Sequence, residues 1–212
     1  MSVQAVIFDM DGVLVDSEPF GFEAMRRVMA RHGLPYSEEE NVEFLGRTTL
    51  ESCRILKARH RLPESPETLA QWYIEGMLAL IGEGPIPMAG VPDVLRRVRA
   101  AGYRMALASS AEPRVIDANL AALSLRPLFE AVVSGTQVAR GKPAPDVFLA
   151  AAERLRVPPH GCLVIEDSRN GLLAAKAAGM TCAVVPCAHT RHQDFREADH
   201  RLGALPELLT IL

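Results

Sequence analysis

The sequence alternates short, strongly apolar runs with longer segments of helical periodicity. The runs are too apolar for a half-exposed strand, which indicates strands buried on both faces of a sheet; they lie at 3–8, 104–108, 131–134, 162–165 and 181–185. Helical segments alternate with them at 91–101, 113–123, 145–155 and 168–178. Strands and helices in regular alternation form βαβ units. The sequence therefore predicts an α/β fold with a doubly wound parallel sheet.

One long stretch interrupts this alternation. Between residues 17 and 84 the sequence shows only amphipathic helical segments, and a cluster rich in Gly and Pro at 82–87 leads back to the α/β pattern. We therefore expect a discontinuous α/β core domain of residues 1–16 and 86–212, interrupted by a helical domain of residues 17–85.

Composition and charge exclude several classes of partner. The 212 residues carry a formal net charge of −3 at pH 7, which gives no electrostatic reason to bind nucleic acid or an anionic membrane surface. No apolar run reaches the ~20 residues that a transmembrane helix needs, and the first residues do not resemble a signal peptide. We expect a cytoplasmic protein, monomeric by default, with no nucleic-acid or membrane partner.

The cysteines and histidines show no metal-binding pattern. No pair of cysteines has the C-x-x-C spacing, and we interpret all four as reduced thiols in the core. They are Cys53, Cys162, Cys182 and Cys187. His189 and His192 lie among polar residues without further ligands, which favours a solvated loop over a metal site.

Polar residues follow four of the predicted strands, at the positions where ligands bind to an open parallel sheet. They are Asp9 and Asp11 after the first strand, Ser109 and Ser110 after the second, Lys142 after the third, and Glu166 and Asp167 after the fourth. Because the carboxyl ends of parallel strands meet at one edge of the sheet, we expect these side chains to lie close together.

The charges in this set do not balance. Four carboxylates would share the site with a single lysine, which is unfavourable without a cation. Carboxylate oxygens are ligands that suit Mg²⁺, which in proteins is usually completed by waters and a substrate phosphate. Asp9 and Asp11 are two residues apart on an extended backbone and point to the same side, so one can attack while the other transfers a proton. The residues thus predict Mg²⁺ and a phosphorylated ligand.

Each of these residues also has an ordinary structural explanation. An Asp after a strand often forms a turn, and Ser109 and the run Glu166-Asp167-Ser168 could cap the helices that follow them. A single lysine is most often a surface residue. Four separate caps have no reason to match one set of residues for phosphoryl transfer, so the joint pattern favours the functional interpretation.

Four ordered motifs carry a resemblance to a known family. They are DMDGVLVDSE at 9–18, ASS at 108–110, GKPAPD at 141–146 and IEDS at 165–168. Together they resemble the motifs of the haloacid dehalogenase superfamily of phosphohydrolases, in the branch that contains β-phosphoglucomutase and sugar-phosphate phosphatases with a helical cap. The resemblance extends from Val6 to about Pro186.

The resemblance implies a catalytic role for the first three motifs. Asp9 would be the nucleophile that forms an aspartyl-phosphate, and Asp11 would protonate the leaving oxygen and then activate a water. Ser109, with Ser110 beside it, would bind the phosphoryl group. Lys142 would neutralise Asp9 and the phosphoryl oxygens.

The resemblance also implies a metal site. Mg²⁺ would be held by Asp9, the backbone carbonyl of Asp11, and Asp167, with Glu166 as a further or water-mediated ligand. This ligand set agrees with the argument from charge.

In the family, the inserted helical segment is a cap that closes over the site and contacts the leaving group. In this sequence Arg47, in the cap segment 46–49, could pair with an anionic substrate group, although an ordinary surface role for Arg47 is equally compatible with the sequence. Trp72 and Tyr73 fit core packing of a cap helix better than a sugar platform.

The predicted function is the Mg²⁺-dependent hydrolysis of a small phosphorylated metabolite, such as a sugar phosphate. A phosphosugar mutase is the first alternative. Mutases of this branch usually follow the serine motif with a Lys-Asn pair that holds a second phosphate, whereas this sequence has Glu112 there, which favours hydrolysis. A receiver-type signalling domain also combines an acidic Mg²⁺ site with a phosphorylatable Asp, but it has no reason for the helical insertion.

Overall fold

The computed structural model describes residues 3–44 and 48–212, which include a six-stranded sheet. The strands are β1 (Ala5–Phe8), β2 (Arg104–Ser109), β3 (Ala131–Ser134), β4 (Cys162–Glu166), β5 (Thr181–Val184) and β6 (His200–Arg201). Each neighbouring pair is parallel, and the order is β3-β2-β1-β4-β5-β6. The prediction of a doubly wound parallel α/β fold is confirmed.

After residue 90 the α-helices alternate with the strands. Between β1 and residue 90 the described residues contain helices that follow one another without an intervening strand. They are α1 (Glu18–Ala30), α2 (Glu38–Val42), α3 (Thr49–His60), α4 (Pro66–Glu83), α5 (Val91–Ala100), α6 (Pro113–Ala122), α7 (Asp146–Leu155) and α8 (Arg169–Ala177). The strands and helices predicted for the α/β part end within two residues of these bounds.

Strand β1 lies at the centre of the sheet, between β2 and β4. Its last residue, Phe8, pairs with Leu107 of β2 and with Ile165 of β4. The backbone N–H of Asp9 then donates to the carbonyl of Ile165 at 2.9 Å. This register places Asp9 at the carboxyl edge of the sheet, between the ends of two neighbouring strands, which is where ligands bind in this class of fold.

The central strands are buried along their whole length. All residues of β1 and β4 are buried. Alternate side chains of β1, Ala5 and Ile7, belong to one apolar cluster with Phe148 of α7 and Leu172 of α8. Burial on both faces explains why these runs show no polar alternation in the sequence.

A short connection joins the end of β4 to α8. Ser168 is the N-cap of α8, and its hydroxyl accepts a hydrogen bond from the backbone N–H of Gly171 at 3.1 Å. The helix ends before Gly179, whose φ of +73° is a left-handed conformation that glycine adopts without steric cost. Because the helix begins directly after the strand, Glu166 and Asp167 are held at the edge of the sheet.

The chain divides into two compact units. One consists of the residues up to Asp16 together with Ile86–Leu212 and contains the sheet. The other, Ser17–Pro85, is helical, and its apolar core includes Met29 of α1, Leu56 of α3 and Leu69 of α4.

Two features differ from what the sequence indicated. Strand β6 was not expected, because its two residues, His200 and Arg201, are exposed and too few to form a recognisable pattern. Cys53, Cys162 and Cys182 are buried as expected, but Cys187 is only half-buried and lies in the loop after β5, so its interpretation as a core thiol is wrong.

Among the residues that the structure describes, no helix combines the length and apolarity needed to cross a membrane.

Candidate active site

Four of the polar residues singled out in the sequence are buried at the carboxyl edge of the sheet. Asp9 follows β1, Ser109 ends β2, Glu166 ends β4, and Asp167 comes directly after it. Their exposed fractions are 6% for Asp9, 0% for Ser109, 0% for Glu166 and 6% for Asp167. Buried charges are costly unless they are paired or coordinate a metal, so the partners of these carboxylates decide what the site can do.

Lys142 joins two of the carboxylates. Its ammonium donates to Oδ1 of Asp9 and to Oε1 of Glu166, each at 2.6 Å, and to the carbonyl of Ala108 at 3.2 Å. The same nitrogen lies 4.9 Å from the ring centroid of Phe148. The Lys142 side chain is only 7% exposed, so it is not the surface lysine that the sequence also allowed.

The charge state of Lys142 follows from this environment. Burial alone would lower the pKa of the ammonium, but Asp9 and Glu166 outweigh that effect and raise its pKa above the ordinary value. Lys142 is therefore protonated at neutral pH and supplies one positive charge to the site.

Glu166 is saturated with hydrogen-bond donors. While Oε1 accepts from Lys142, Oε2 accepts from the backbone N–H groups of Asp167 and Ser168, each at 3.0 Å, and from the hydroxyl of Ser168 at 2.9 Å. Gly171 of α8 lies so close that a Cβ at this position would overlap the Glu166 carboxyl group. Both oxygens of Glu166 thus already accept hydrogen bonds, and position 171 of α8 has no room for a residue larger than glycine.

Asp167 has partners of a different kind. Its Oδ2 accepts from the thiol of Cys187 and from the hydroxyl of Thr190, both at 3.2 Å. Gly12 lies against the same carboxylate with a φ of +75°, and a Cβ on Gly12 would overlap Oδ2. Glycine is required at this position both for the turn after β1 and for the close approach to Asp167.

Asp9, Glu166 and Asp167 form the one group in the described part of the chain whose carboxylate oxygens could share a metal ion, since these atoms lie within 4.8 Å of one another. Burial raises the pKa of Asp9 well above its usual value, and Lys142 only partly offsets this. Burial and the charge of Glu166 raise the pKa of Asp167 to about 7. Three carboxylates around one lysine remain under-neutralised, and oxygen donors of this type fit a hard divalent cation such as Mg²⁺.

Asp11 lies beside this group and contacts Ser109. The hydroxyl of Ser109 donates to Oδ2 of Asp11 at 3.3 Å and accepts from the backbone N–H of Ala111 at 3.0 Å. Ser109 is not the N-cap of α6, because that position belongs to Glu112. Ser110 follows β2 directly and is exposed. Its role, like that of the other site residues, stays a prediction.

The structure brings together most of the residues that the sequence singled out. The exception is Arg47, which lies outside the described residues. Cys187 and Thr190 were missed, although the signal was present: they follow β5, and the rule that ligand-binding residues follow parallel strands applies to that strand as well. Gly12 lies inside the first motif and Gly171 lies three residues after the fourth, but only the structure shows what they contact.

Comparison with known proteins identifies the family of the chain. The model of the haloacid dehalogenase-like hydrolase family matches residues 3–179. The protein CbbY of Rhodobacter capsulatus is 36% identical over 99% of this chain and 97% of its own length. The phosphorylated carbohydrates phosphatase of Thermotoga maritima is 38% identical over 84% of this chain and 82% of its own.

A solved structure shows the same similarity in three dimensions. A mutant of CbbY from Rhodobacter sphaeroides in complex with xylulose-(1,5)bisphosphate has a TM-score of 0.89 and 32% identity, over 97% of this chain and 96% of that one. The family model covers more than two thirds of the sequence and includes all four motifs at the edge of the sheet. The chain therefore belongs to the haloacid dehalogenase-like hydrolase family.

Proposed function

We propose that this hydrolase is a Mg²⁺-dependent phosphomonoester hydrolase that acts through an aspartyl-phosphate on Asp9. The observation that carries the proposal is the buried group of Asp9, Glu166 and Asp167 with the Lys142 ammonium 2.6 Å from Asp9 and from Glu166. Such a site can bind an anionic phosphoryl group only if cations offset the carboxylates, and phosphoryl transfer depends mainly on positioning and electrostatic stabilisation.

The first chemical step would form a bond between Asp9 and phosphorus. A carboxylate oxygen of Asp9 attacks the phosphorus atom, the bond from phosphorus to the ester oxygen breaks, and Asp11 gives its proton to the leaving oxygen. Lys142 holds Oδ1 of Asp9, which fixes the carboxylate for the attack. Ser109 lies at the end of β2, and its hydroxyl, which donates to Asp11 at 3.3 Å, would turn to donate to a phosphoryl oxygen of the substrate.

The second step would release phosphate. Asp11, now ionised, takes a proton from a water molecule as the water oxygen attacks the phosphorus of the aspartyl-phosphate. The bond between phosphorus and the Asp9 oxygen breaks, which returns the Asp9 carboxylate and leaves Asp11 protonated for the next cycle.

The residues that would hold Mg²⁺ are Asp9, Asp167 and the backbone carbonyl of Asp11. Glu166 would contribute through a water or through its negative charge, because both of its oxygens already accept hydrogen bonds. When bound, Mg²⁺ offsets negative charge as the phosphoryl group approaches.

The proposed substrate is a small phosphorylated metabolite of the sugar-phosphate type. Two relatives support this class: one is named a phosphorylated carbohydrates phosphatase, and another was solved with xylulose-(1,5)bisphosphate. We also propose that the helical unit Ser17–Pro85 is the cap domain of the enzyme, in which Arg47 is a candidate for binding an anionic substrate group, and that the enzyme is a cytoplasmic monomer.

The test is a phosphate-release assay with an aryl phosphate and a panel of phosphorylated sugars. We expect activity that requires Mg²⁺ and is lost with EDTA. Asp9→Asn should abolish turnover without loss of fold, whereas Asp117→Asn, at an exposed aspartate of α6, should retain it. Substantial turnover by the Asp9 variant would show that the nucleophile is misassigned. Faster formation of glucose 6-phosphate than of inorganic phosphate from β-glucose 1-phosphate would identify a mutase.

A further inference from the structure

Among the described residues, two hydrogen-bond donors reach the side chain of Asp167, and the loop after β5 supplies them. The thiol of Cys187 and the hydroxyl of Thr190 each lie 3.2 Å from Oδ2 of Asp167. The loop holds its own shape at this point, because the backbone N–H groups of Thr190 and Arg191 donate to the carbonyl of Cys187 at 3.2 and 3.0 Å. The two donors are therefore presented by a closed turn.

The hydrogen-bond arrangement makes Thr190 the better-defined donor. A hydroxyl has one hydrogen and two lone pairs. The oxygen of Thr190 accepts from the backbone N–H of Cys187 at 3.1 Å, so its single hydrogen is available for Asp167. The thiol of Cys187 is a weaker donor and faces both Asp167, at 3.2 Å, and the Thr190 oxygen, at 3.4 Å. Cys187 therefore adds to the contact that Thr190 makes.

Both donors are neutral, which distinguishes Asp167 from the other two carboxylates. Asp9 and Glu166 each form an ion pair with Lys142, whereas the hydrogen bonds to the Asp167 side chain come from a hydroxyl and a thiol. Neutral donors fix the direction of a carboxylate without cancelling its charge. A carboxylate has about four acceptor positions, so two donors leave room for a cation.

We propose that Thr190, assisted by Cys187, is a positioning residue that orients Asp167 for binding Mg²⁺. This inference rests on the proposed function, because it takes Asp167 as a metal ligand. Partners that hydrogen-bond to metal ligands orient them, and their removal typically weakens metal binding by roughly 10- to 100-fold. The effect of losing one neutral donor lies at the lower end of that range.

The test is the dissociation constant for Mg²⁺, measured by calorimetric titration of the full chain with MgCl₂ alone. Thr190→Val keeps the side-chain shape and removes the hydroxyl, and we expect binding about tenfold weaker than in the wild type. Thr190→Ser keeps the hydroxyl and should bind within about twofold of the wild type. The control is Thr210→Val, which removes an exposed hydroxyl that donates to the carbonyl of Glu207 at 2.7 Å and should leave Mg²⁺ binding unchanged.

A purely structural role for this loop gives a different result. In that case Thr190→Val lowers the midpoint of thermal unfolding and leaves the dissociation constant for Mg²⁺ unchanged, which overturns the proposal. Equal weakening in Thr190→Ser and Thr190→Val overturns it as well. If Thr190→Val does not fold, Cys187→Ala and Cys187→Ser replace it: the serine variant keeps a donor and should bind Mg²⁺ more tightly than the alanine variant, and equal binding refutes the role.

Phosphate release by the wild-type protein separates this inference from the proposed function. A wild-type chain that binds Mg²⁺ and releases phosphate, with unchanged Mg²⁺ binding in Thr190→Val, overturns only the role of Thr190. A wild-type chain that does not bind Mg²⁺ overturns both proposals. Weakened Mg²⁺ binding in Thr190→Val, together with a wild type that releases no phosphate from any tested ester, supports the positioning role and contradicts the proposed reaction.

Discussion

Replacing Glu166 with glutamine tests how the centre of the site is held together. The Glu166 carboxylate accepts from Lys142 on one oxygen and from three donors, two of Ser168 and one of Asp167, on the other. Glutamine has the same shape but only one acceptor oxygen, and its NH₂ group donates. If the amide oxygen faces the three donors, the NH₂ group faces the Lys142 ammonium; if the amide is reversed, three donors face the NH₂ group. In either orientation at least one donor around residue 166 faces another donor and has no acceptor there.

The expected loss of stability follows from these contacts. The better orientation sacrifices the contact with Lys142, a charge-assisted hydrogen bond whose loss costs about 1.5–3 kcal/mol. Removing one partner of a buried ion pair costs about 3–5 kcal/mol, and Lys142 keeps its second partner, Asp9, at 2.6 Å. We therefore expect Glu166→Gln to lower the free energy of unfolding by about 3 kcal/mol. The total for a domain is about 5–15 kcal/mol, so the variant should still fold.

The assay is equilibrium unfolding in urea with EDTA present, so that no divalent cation contributes. The control is Glu130→Gln, which disrupts an ion pair with Arg104 of similar length, 2.7 Å, in which both side chains are about 40% exposed. Exposed pairs contribute at most about 1 kcal/mol, and the control should lose no more than that. Equal stability of Glu166→Gln and wild type would refute the reasoning. If Glu166 served chiefly as a metal ligand, removal of its charge would weaken Mg²⁺ binding while leaving the metal-free protein as stable as before or more so.

Two further predictions concern packing and pH. Gly171→Ala should destabilise the protein by about 1–3 kcal/mol in urea unfolding, because the added methyl group overlaps the Glu166 carboxyl group. The control is Gly82→Ala in α4, whose added methyl group meets open space and which should be neutral or stabilising by up to about 1 kcal/mol. A neutral Gly171→Ala would contradict the close packing of Gly171 against Glu166. Burial raises the pKa of Asp167 from its ordinary 3.8 to about 7, so the stability that protonated Asp167 contributes without metal is fully present below pH 3.8 and lost as the pH rises through about 7. The loss is at most about 4 kcal/mol by linkage, so the free energy of unfolding of the metal-free wild type should fall by up to that amount between pH 4 and pH 8 relative to that of Asp167→Asn, which has no carboxyl group to titrate. An equal pH dependence of the two proteins would refute the raised pKa of Asp167.

The sheet and the position of the site could be predicted from the sequence because both follow from local patterns. A strand buried on both faces leaves a continuous apolar run, and parallel strands bring the residues that follow them to one edge. These two rules suffice to place Asp9, Glu166 and Asp167 together. These rules do not predict strand β6, because its two exposed residues, His200 and Arg201, form no apolar run.

The partners within the site could not be predicted in the same way. Which carboxylate binds Lys142 depends on side-chain directions across 133 residues of chain for Asp9 and 24 for Glu166, which no local pattern encodes. The contact of Thr190 with Asp167 likewise spans 23 residues and passes through a loop without regular structure. Cys187 was interpreted by its residue type, which is usually buried, whereas its position after a parallel strand was the more informative property.

The three buried carboxylates of the site differ in their hydrogen-bond partners. Glu166 and Asp167 are neighbours in the sequence, yet Glu166 is paired with Lys142 and also accepts from backbone and hydroxyl donors. In the part of the chain that the structure describes, the donors to the Asp167 side chain are a thiol and a hydroxyl, both neutral. Asp9 shares the same lysine through one oxygen. We therefore expect the negative charge left for a divalent cation to lie mainly on Asp9 and Asp167, and Glu166 to hold Lys142 beside Asp9. An acidic pair at the end of a strand can thus contain one residue that positions and one that binds, and only their partners distinguish the two.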